Sequence, residues 1–174
     1  FKPQRRIDTN VVPGSEEKLD MLQYCVQTLT ERGYVFIGMD HFAKPDDELS
    51  IALKEGFLQR NFQGYSTYAD CDLVAIGMSS IGKIGSTYSQ NERDIDAYYA
   101  ALDAGHLPIM RGYQLNQDDI LRRNIIQDLM CRFSLDYRIY ESVFGIPFSR
   151  YFAVELEDMK QLETLGLVRL KPHG

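Results

Sequence analysis

The sequence predicts an α/β fold that continues, in its second half, into a mostly helical domain. Over the first 80 or so residues, amphipathic helical patterns alternate with short apolar runs, the order expected for β/α units with parallel strands. From about Ser89 the pattern changes to successive helical stripes that end in one short apolar run at residues 167–170. The last three helices of this half, followed by the strand, indicate a winged-helix-like unit without its second wing strand.

The first β/α unit begins with a helix and continues into a strand. Ser15 is expected to cap the helix, two Glu residues follow in the first turn, where the helix dipole favours them, and Gly33 is expected to end it. Apolar residues recur on one helical face: Leu19, Leu22, Val26 and Leu29. Residues 34–37 then form a nearly continuous apolar run, which is typical of a buried strand in a parallel sheet.

A second helix is predicted from residues 44–48 to about Arg60, and a second apolar strand over residues 72–78. Two strands cannot form a stable sheet alone, because their faces and edges would be bare. The chain also starts without Met and stops abruptly after its last apolar run. These features predict a piece of a longer protein.

The second half predicts a series of helices with one extended link. The helices are expected at residues 91–104, 116–133, 136–144 and 148–165, and the link at residues 108–115. Asn116 is expected to cap the second of these helices. On that helix, Asp118 with Arg122 and Asp119 with Arg123 are spaced to form ion pairs on a solvated face.

Composition excludes several classes of protein. The 174 residues carry a net charge of −6, which disfavours a nucleic-acid surface. No apolar run reaches the length of a membrane span, and the start does not resemble a signal peptide, so a cytoplasmic protein with no membrane partner is expected. The three Cys residues have neither metal-ligand nor redox spacing and are expected to be reduced structural thiols.

Three stretches are candidates for a site. Residues 60–70, RNFQGYSTYAD, place aromatic rings beside an amide in a segment with no clear period, so either a surface turn or a ligand-contacting loop is possible. Asp40 and His41 follow the first predicted strand, where ligands gather in α/β sheets, although a capping Asp and a loop-fixing His explain them somewhat better. Residues 76–85 contain three Gly, consistent with a tight bend or, more weakly, with close approach of a phosphate.

Residues 33–82 resemble a nearly continuous block of the bacterial oxygen-independent coproporphyrinogen III oxidases, or coproporphyrinogen dehydrogenases. The most specific motifs are GMDHFAxPDDEL and RNFQGYST. The stretch RGYQLNQDDILRRNIIQDLMCRFSLDY resembles the C-terminal domain of the same family. The resemblance implies that residues 1–88 are the last β/α units of a partial barrel of the radical S-adenosylmethionine (SAM) type. Residues 89–174 would then be an incomplete, helical, winged-helix-like C-terminal domain.

The resemblance also implies an activity. Members of the family oxidatively decarboxylate two propionates of coproporphyrinogen III, giving protoporphyrinogen IX in haem biosynthesis without O₂. They use SAM and a [4Fe–4S] cluster held by a CxxxCxxC motif; the resemblance leaves the electron donor open. This sequence contains no CxxxCxxC motif. The 174 residues alone are therefore expected to resemble an inactive C-terminal fragment with no metal ligands and no catalytic residue.

The resemblance assigns three residues to SAM contact: Phe62, Gln63 and Ile81. Asp40, His41 and Tyr65 are expected, more weakly, to position substrate or support loops. Two other functions remain open: a haem chaperone of the same superfamily, and a non-catalytic interaction module that uses its winged-helix-like part to bind nucleic acid.

Overall fold

A computed structural model describes residues 6–68 and 71–174 of the chain. The chain divides after Phe57 into two units, residues 1–57 and 58–174. The boundary near residue 88 that the resemblance implies concerns the domains of the family and stays a prediction. Both units contain helices and strands, which confirms the mixed α/β class.

From residue 6 onward, the first unit holds a 3-10 turn, two α-helices and one hairpin. Helix α1 starts at Ser15, and Gly14, not Ser15, is its N-cap, without a side-chain capping bond. Gly33 follows the helix with φ +80°, as its predicted position requires. The elements are a 3-10 turn at Thr9–Val11, α1 at Ser15–Glu31, strand β1 at Val35–Gly38, β2 at His41–Ala43, and α2 at Glu48–Glu55.

Strand β1 pairs with β2 in an antiparallel hairpin, so the parallel neighbour predicted for this strand is wrong within the described unit. Gly38 and Met39 adopt φ values of +148° and +52°, and the chain therefore reverses within a few residues. A parallel partner would need a long crossover. The small core of the unit consists of Ile37, Ala43 and Ala52, which are at most 7% exposed.

Helix α2 ends at Glu55, five residues before the predicted end at Arg60. Gly56 adopts a left-handed conformation with φ +81°, and its N–H donates to the carbonyl of Ala52. Such a glycine ends a helix because an L side chain is disfavoured there. The residues that follow are thereby free to form a strand.

Within its described residues, the second unit combines five short strands with five helices. The strands are β3 at Gln59–Asn61, β4 at Gly64–Ser66, β5 at Ile81–Ile84, β6 at Thr87–Asn91, and β7 at Ile109–Gln114. The helices are α3 at Ile95–Asp103, α4 at Gln117–Arg132, α5 at Tyr137–Phe144, α6 at Phe148–Tyr151, and α7 at Ala153–Thr164. Strands β3 and β4 form one antiparallel hairpin, and β5, β6 and β7 form an antiparallel sheet in that order.

The strand predicted over residues 72–78 does not form. Only Leu73 pairs with a strand, through two backbone bonds to Lys83 of 2.8 and 2.9 Å. Gly77 and Ser79 have φ values of +97° and +60°, which interrupt an extended chain. Val74 is 68% exposed, so its apolar side chain marks no buried strand.

The region between residues 91 and 116 also differs from its prediction. Asn91 ends strand β6, and helix α3 begins four residues later with Asp94 as its N-cap. The predicted link becomes strand β7. Asn116 caps α4 as predicted and forms a capping box with Asp119.

The wing-like strand predicted at residues 167–170 is absent from the described structure. Leu167 N–H donates to the carbonyl of Leu162 at 3.0 Å, and Leu170 N–H donates to the Glu163 carboxylate at 2.7 Å. These backbone donors are therefore bound to the end of α7, so they are not available to a sheet.

The helices enclose an aromatic core. Tyr137 and Phe148 stack with centroids 4.3 Å apart and an interplanar angle of 10°. The buried cluster consists of Leu121, Tyr137, Tyr140, Phe148 and Phe152. Each such side chain contributes about 1.5–3 kcal/mol by leaving water, so this cluster anchors α4 to α5 and α6.

Candidate functional site

The stretch RNFQGYS folds as a tight β-hairpin, β3–β4, with Phe62 and Gln63 at its turn. Asn61 pairs with Gly64 across the hairpin, which leaves two residues in the loop. The Asn61 side chain accepts a hydrogen bond from the N–H of Gln63 at 2.8 Å. An Asn that binds its own turn and a Gly at φ +132° explain why this sequence reverses here.

The turn presents an aromatic face and an amide to the surroundings. The Phe62 side chain is 58% exposed, and its ring meets Tyr88 edge-to-face at a centroid distance of 5.4 Å. Gln63 is exposed. A ring fixed by one aromatic neighbour offers its remaining surface to a flat ligand, and an amide both donates and accepts hydrogen bonds.

Side chains tie the hairpin to helix α4. The Tyr65 hydroxyl donates to the carbonyl of Met130 at 3.3 Å, and Gln127 donates from Nε2 to Gln59 Oε1 at 2.8 Å. These bonds start from both strands of the hairpin. Tyr65 thus occupies a position that fits loop support.

Ile81 lies at the start of strand β5, opposite Gln90 of β6, and is partly buried. The loop before it is held by Asn91, whose Nδ2 donates to the carbonyls of Ala75 and Gly77 at 3.2 and 3.0 Å. The next residue, Gly82, permits this loop to lie against the strand, since a Cβ there would stand 3.0 Å from the carbonyl oxygen of Leu73.

A cleft of about 800 Å³ opens within the second unit, between the β3–β4 hairpin, strands β5 and β6, and helices α4 and α5. Phe62 lines this cleft, whereas Gln63 and Ile81 do not. Of the three predicted SAM-contact residues, Phe62 alone therefore lines this cleft.

Asp40 and His41 belong to the first unit and lie at the β1–β2 turn. The Asp40 carboxylate contacts His41 Nδ1 at 2.8 Å, and the Asp40 side chain is 83% exposed. Their position is the bend of a hairpin, and not the carboxyl end of a parallel strand as predicted. This contact orients the imidazole and fits the loop-fixing alternative.

The ion pairs predicted on α4 are only half correct. Arg122 pairs with Asp118 and also with Glu155, each at 2.8 Å, and these hydrogen bonds raise the pKa of the Arg122 guanidinium. Asp119 instead accepts from Tyr113 Oη at 2.9 Å and from the N–H of Asn116 at 3.0 Å. Within the described chain, Asp119 and Arg123 form no ion pair.

Tyr140 and Asp128, which line the cleft, are bonded to each other, and the buried Cys131 follows Asp128 on helix α4. Tyr140 donates its hydroxyl to Asp128 at 2.6 Å, and burial together with this bond raises the pKa of Tyr140. Cys131 beside it is 1% exposed, and burial raises the pKa of its thiol although the charges of Arg132 and Arg60 lower it. A buried thiol with a raised pKa is not a nucleophile.

Sequence reasoning gave no binding role to three residues of the cleft: Arg60, Tyr88 and Arg123. The available signal was that Arg60 is the first residue of the candidate stretch RNFQGYSTYAD. Among residues 6–68 and 71–174, no group of His, Cys, Asp and Glu side chains could hold a metal ion. No helix in the same ranges is both long and apolar enough to cross a membrane.

Comparison with known proteins gives matches along the whole chain. The oxygen-independent coproporphyrinogen III oxidase of Pseudomonas aeruginosa is 49% identical over 174 residues, which is 100% of this chain and 38% of the relative. The chain belongs to the oxygen-independent coproporphyrinogen III oxidase family. The family enzyme of Synechocystis is 47% identical over 174 residues, covering 97% of this chain and 37% of the relative.

A solved structure of the family enzyme from Escherichia coli, described as a radical SAM enzyme, matches with a TM-score of 0.94 and 44% identity. It is covered by this chain over 40% of its length, and 100% of this chain is matched. The chain spans about two fifths of the length of the relatives named here, in their C-terminal part. No family model matches the chain.

Proposed function

We propose that this chain forms part of an enzyme that oxidatively decarboxylates coproporphyrinogen III to protoporphyrinogen IX, in the cytoplasm and with SAM as cofactor. The observation that carries the proposal is the 49% identity with the Pseudomonas aeruginosa enzyme over all 174 residues. The TM-score of 0.94 with the Escherichia coli enzyme supports the same fold for that part.

Within this enzyme, the Phe62–Gln63 turn would hold SAM. The exposed face of Phe62 suits a flat adenine ring, the Gln63 amide suits its polar edges, and Ile81 offers an apolar contact. SAM supplies the hydrogen-abstracting radical chemistry of the reaction. The chain's own contribution is to bind and orient the cofactor and to keep water from it.

The described residues do not fit a [4Fe–4S] cluster. Cys25 and Cys71 are exposed in different units and Cys131 is buried, so they provide no three-thiolate set. The proposal therefore assigns the cluster ligands to residues outside this chain, and it assigns no metal ligand to the 174 residues.

A chimera tests the proposal. This chain replaces the matching 38% of the Pseudomonas aeruginosa enzyme. Anaerobic turnover of coproporphyrinogen III and SAM affinity are then measured, together with turnover by the isolated 174-residue chain. We expect turnover by the chimera alone. A chimera that folds, binds its cluster and forms no protoporphyrinogen IX would refute the proposed function. Turnover by the isolated chain would refute the placement of the cluster ligands outside these 174 residues.

The roles of Phe62 and Gln63 are tested in the same chimera. Phe62→Ala and Gln63→Ala should each weaken SAM binding about tenfold, since each loses a contact worth about 1–1.5 kcal/mol. Tyr24→Ala is the matched control, because Tyr24 is a 70% exposed aromatic on α1. If both turn variants bind SAM as tightly as this control, the turn is not the SAM contact.

A further inference from the structure

The cleft of the second unit contains two arginines with buried, unsatisfied N–H groups. Arg60 Nε and Arg123 Nη1 are shielded from solvent and have no hydrogen-bond partner in the described structure. Both arginines line the cleft. Buried donors are nearly always satisfied in folded proteins, and an unmade bond to a charged group is costly. Two such donors in one cavity indicate a missing acceptor.

The scaffold holds both arginines at the wall where β3 lies against α4. Arg60 is on β3, with its guanidinium carbon 5.9 Å from the centre of the Tyr65 ring. Arg123 is on α4, one turn before Gln127, which binds Gln59 beside Arg60. The two side chains thus start from elements that are bonded to each other.

The carboxylates along this cleft are already engaged. Asp119 accepts two hydrogen bonds, from Tyr113 and from the N–H of Asn116. Asp128 accepts from Tyr140 at 2.6 Å and pairs with Arg132 at 3.2 Å.

Unlike Arg123 on the same helix, Arg122 has its charge compensated by the carboxylates of Asp118 and Glu155, each at 2.8 Å. Lys83 adds a further positive charge to the cleft. The described residues that line the cleft thus include four cationic side chains and two carboxylates.

We propose that Arg60 and Arg123 form a carboxylate-binding subsite, whose ligand is a propionate of the tetrapyrrole substrate. The planar guanidinium matches a carboxylate in a bidentate manner. The rest of the wall is apolar or aromatic, including Phe62, Tyr88 and Ile126, which suits a flat body that carries carboxylates. The identity of the ligand rests on the proposed function; the need for an acceptor rests on the buried donors alone.

The test measures binding of coproporphyrin III, the stable oxidised form of the substrate, and of its tetramethyl ester to the 174-residue chain in one detergent buffer. The ester keeps the ring and lacks the carboxylates. We expect the acid to bind more tightly, and Arg60→Gln and Arg123→Gln each to weaken its binding about tenfold to a hundredfold. Arg150→Gln, an exposed arginine on α6 outside the cleft, removes the same charge and should have no effect.

A second arm identifies the source of the carboxylate. If an Asp or Glu from the rest of the enzyme binds the two arginines, acid and ester bind alike. The two variants then lower the melting temperature of the chimera by several degrees and leave that of the isolated chain unchanged. This result would keep the carboxylate subsite but overturn the propionate as its ligand.

The subsite would be overturned if Arg60→Gln, Arg123→Gln and Arg150→Gln affected binding of the acid equally and the variants changed the melting temperature of the chimera and of the isolated chain alike. Arg60→Lys and Arg123→Lys, which retain the charge but not the planar fork, should recover only part of the affinity. A chimera without turnover whose acid-over-ester preference is intact would overturn the proposed function and leave the subsite in place.

Discussion

Asn91→Ala should destabilise the second unit by about 2–3 kcal/mol. The side chain is 4% exposed, and its Nδ2 group donates to the carbonyls of Ala75 and Gly77. Truncation removes two hydrogen bonds, each worth about 1 kcal/mol, and leaves two partly buried carbonyls without these donors. The substitution also opens a small cavity beside the sheet.

The loss should spread to the loop that precedes Ile81. The N–H of Asn91 donates to the carbonyl of Ser80 at 3.0 Å, so this residue holds the loop at three points. Asn91→Asp is the sharper probe, because it keeps the shape and places carboxylate oxygens against the two carbonyls. It should be at least as destabilising as Asn91→Ala at neutral pH.

The measurement is urea unfolding of the 174-residue chain, followed by circular dichroism. A loss of 2–3 kcal/mol should lower the midpoint by about 0.7–3 M, given slopes of about 1–3 kcal/mol/M. Thr87→Ala, an exposed position at the other end of β6, should change stability by less than about 0.5 kcal/mol. An Asn91→Asp variant as stable as the unaltered chain would refute the role of the amide donors.

Three further predictions concern packing, a buried hydroxyl and pH. Gly82→Ala should lower the free energy of chemical unfolding by about 1–3 kcal/mol, because the added Cβ would lie 3.0 Å from the carbonyl oxygen of Leu73. Gly112→Ala is the control and should cost less, because its Cβ would lie at an ordinary 3.5 Å from the nearest atom. Tyr140→Phe should cost about 1.5–3 kcal/mol in the same assay, since it removes a buried hydroxyl bonded to a carboxylate; no loss would contradict this. The guanidinium of Arg138 lowers the pKa of Asp136 from 3.8 to about 2, so the pair stabilises the fold above about pH 4 and this contribution disappears as the pH falls through 2. Asp136→Asn should therefore have a lower melting temperature than the unaltered chain at pH 5, and the gap should close towards pH 2.

Local signals predicted the helices well and the strands poorly. Helix α4 begins and ends where its capping Asn116 and its apolar spacing place it, because these determinants lie within a few residues of each helix end. Helix α2 ended early because Gly56 took a left-handed conformation that the apolar pattern does not reveal. The strand at residues 72–78 failed because apolar composition alone does not supply a hydrogen-bond partner.

The candidate site was likewise predictable only where local sequence signals determine it. The NFQGY motif identified Phe62 and Gln63 through family resemblance, and the structure places them at an exposed turn. Arg60 and Arg123 lie 63 positions apart. Nothing in their local patterns indicates that they share a cleft, since that depends on how β3 packs against α4. Spacing even suggested an ion pair for Arg123 that the fold does not form.

The hairpin β3–β4 joins the proposed ligand contact at Phe62 to helix α4. Its two strands are joined by a two-residue turn, and each strand is bonded by a side chain to α4. We therefore expect a ligand bound at Phe62 to restrain the hairpin and, through these bonds, helix α4, which carries Leu121 of the aromatic core. If so, substitutions in that core should alter the affinity of the turn for its ligand.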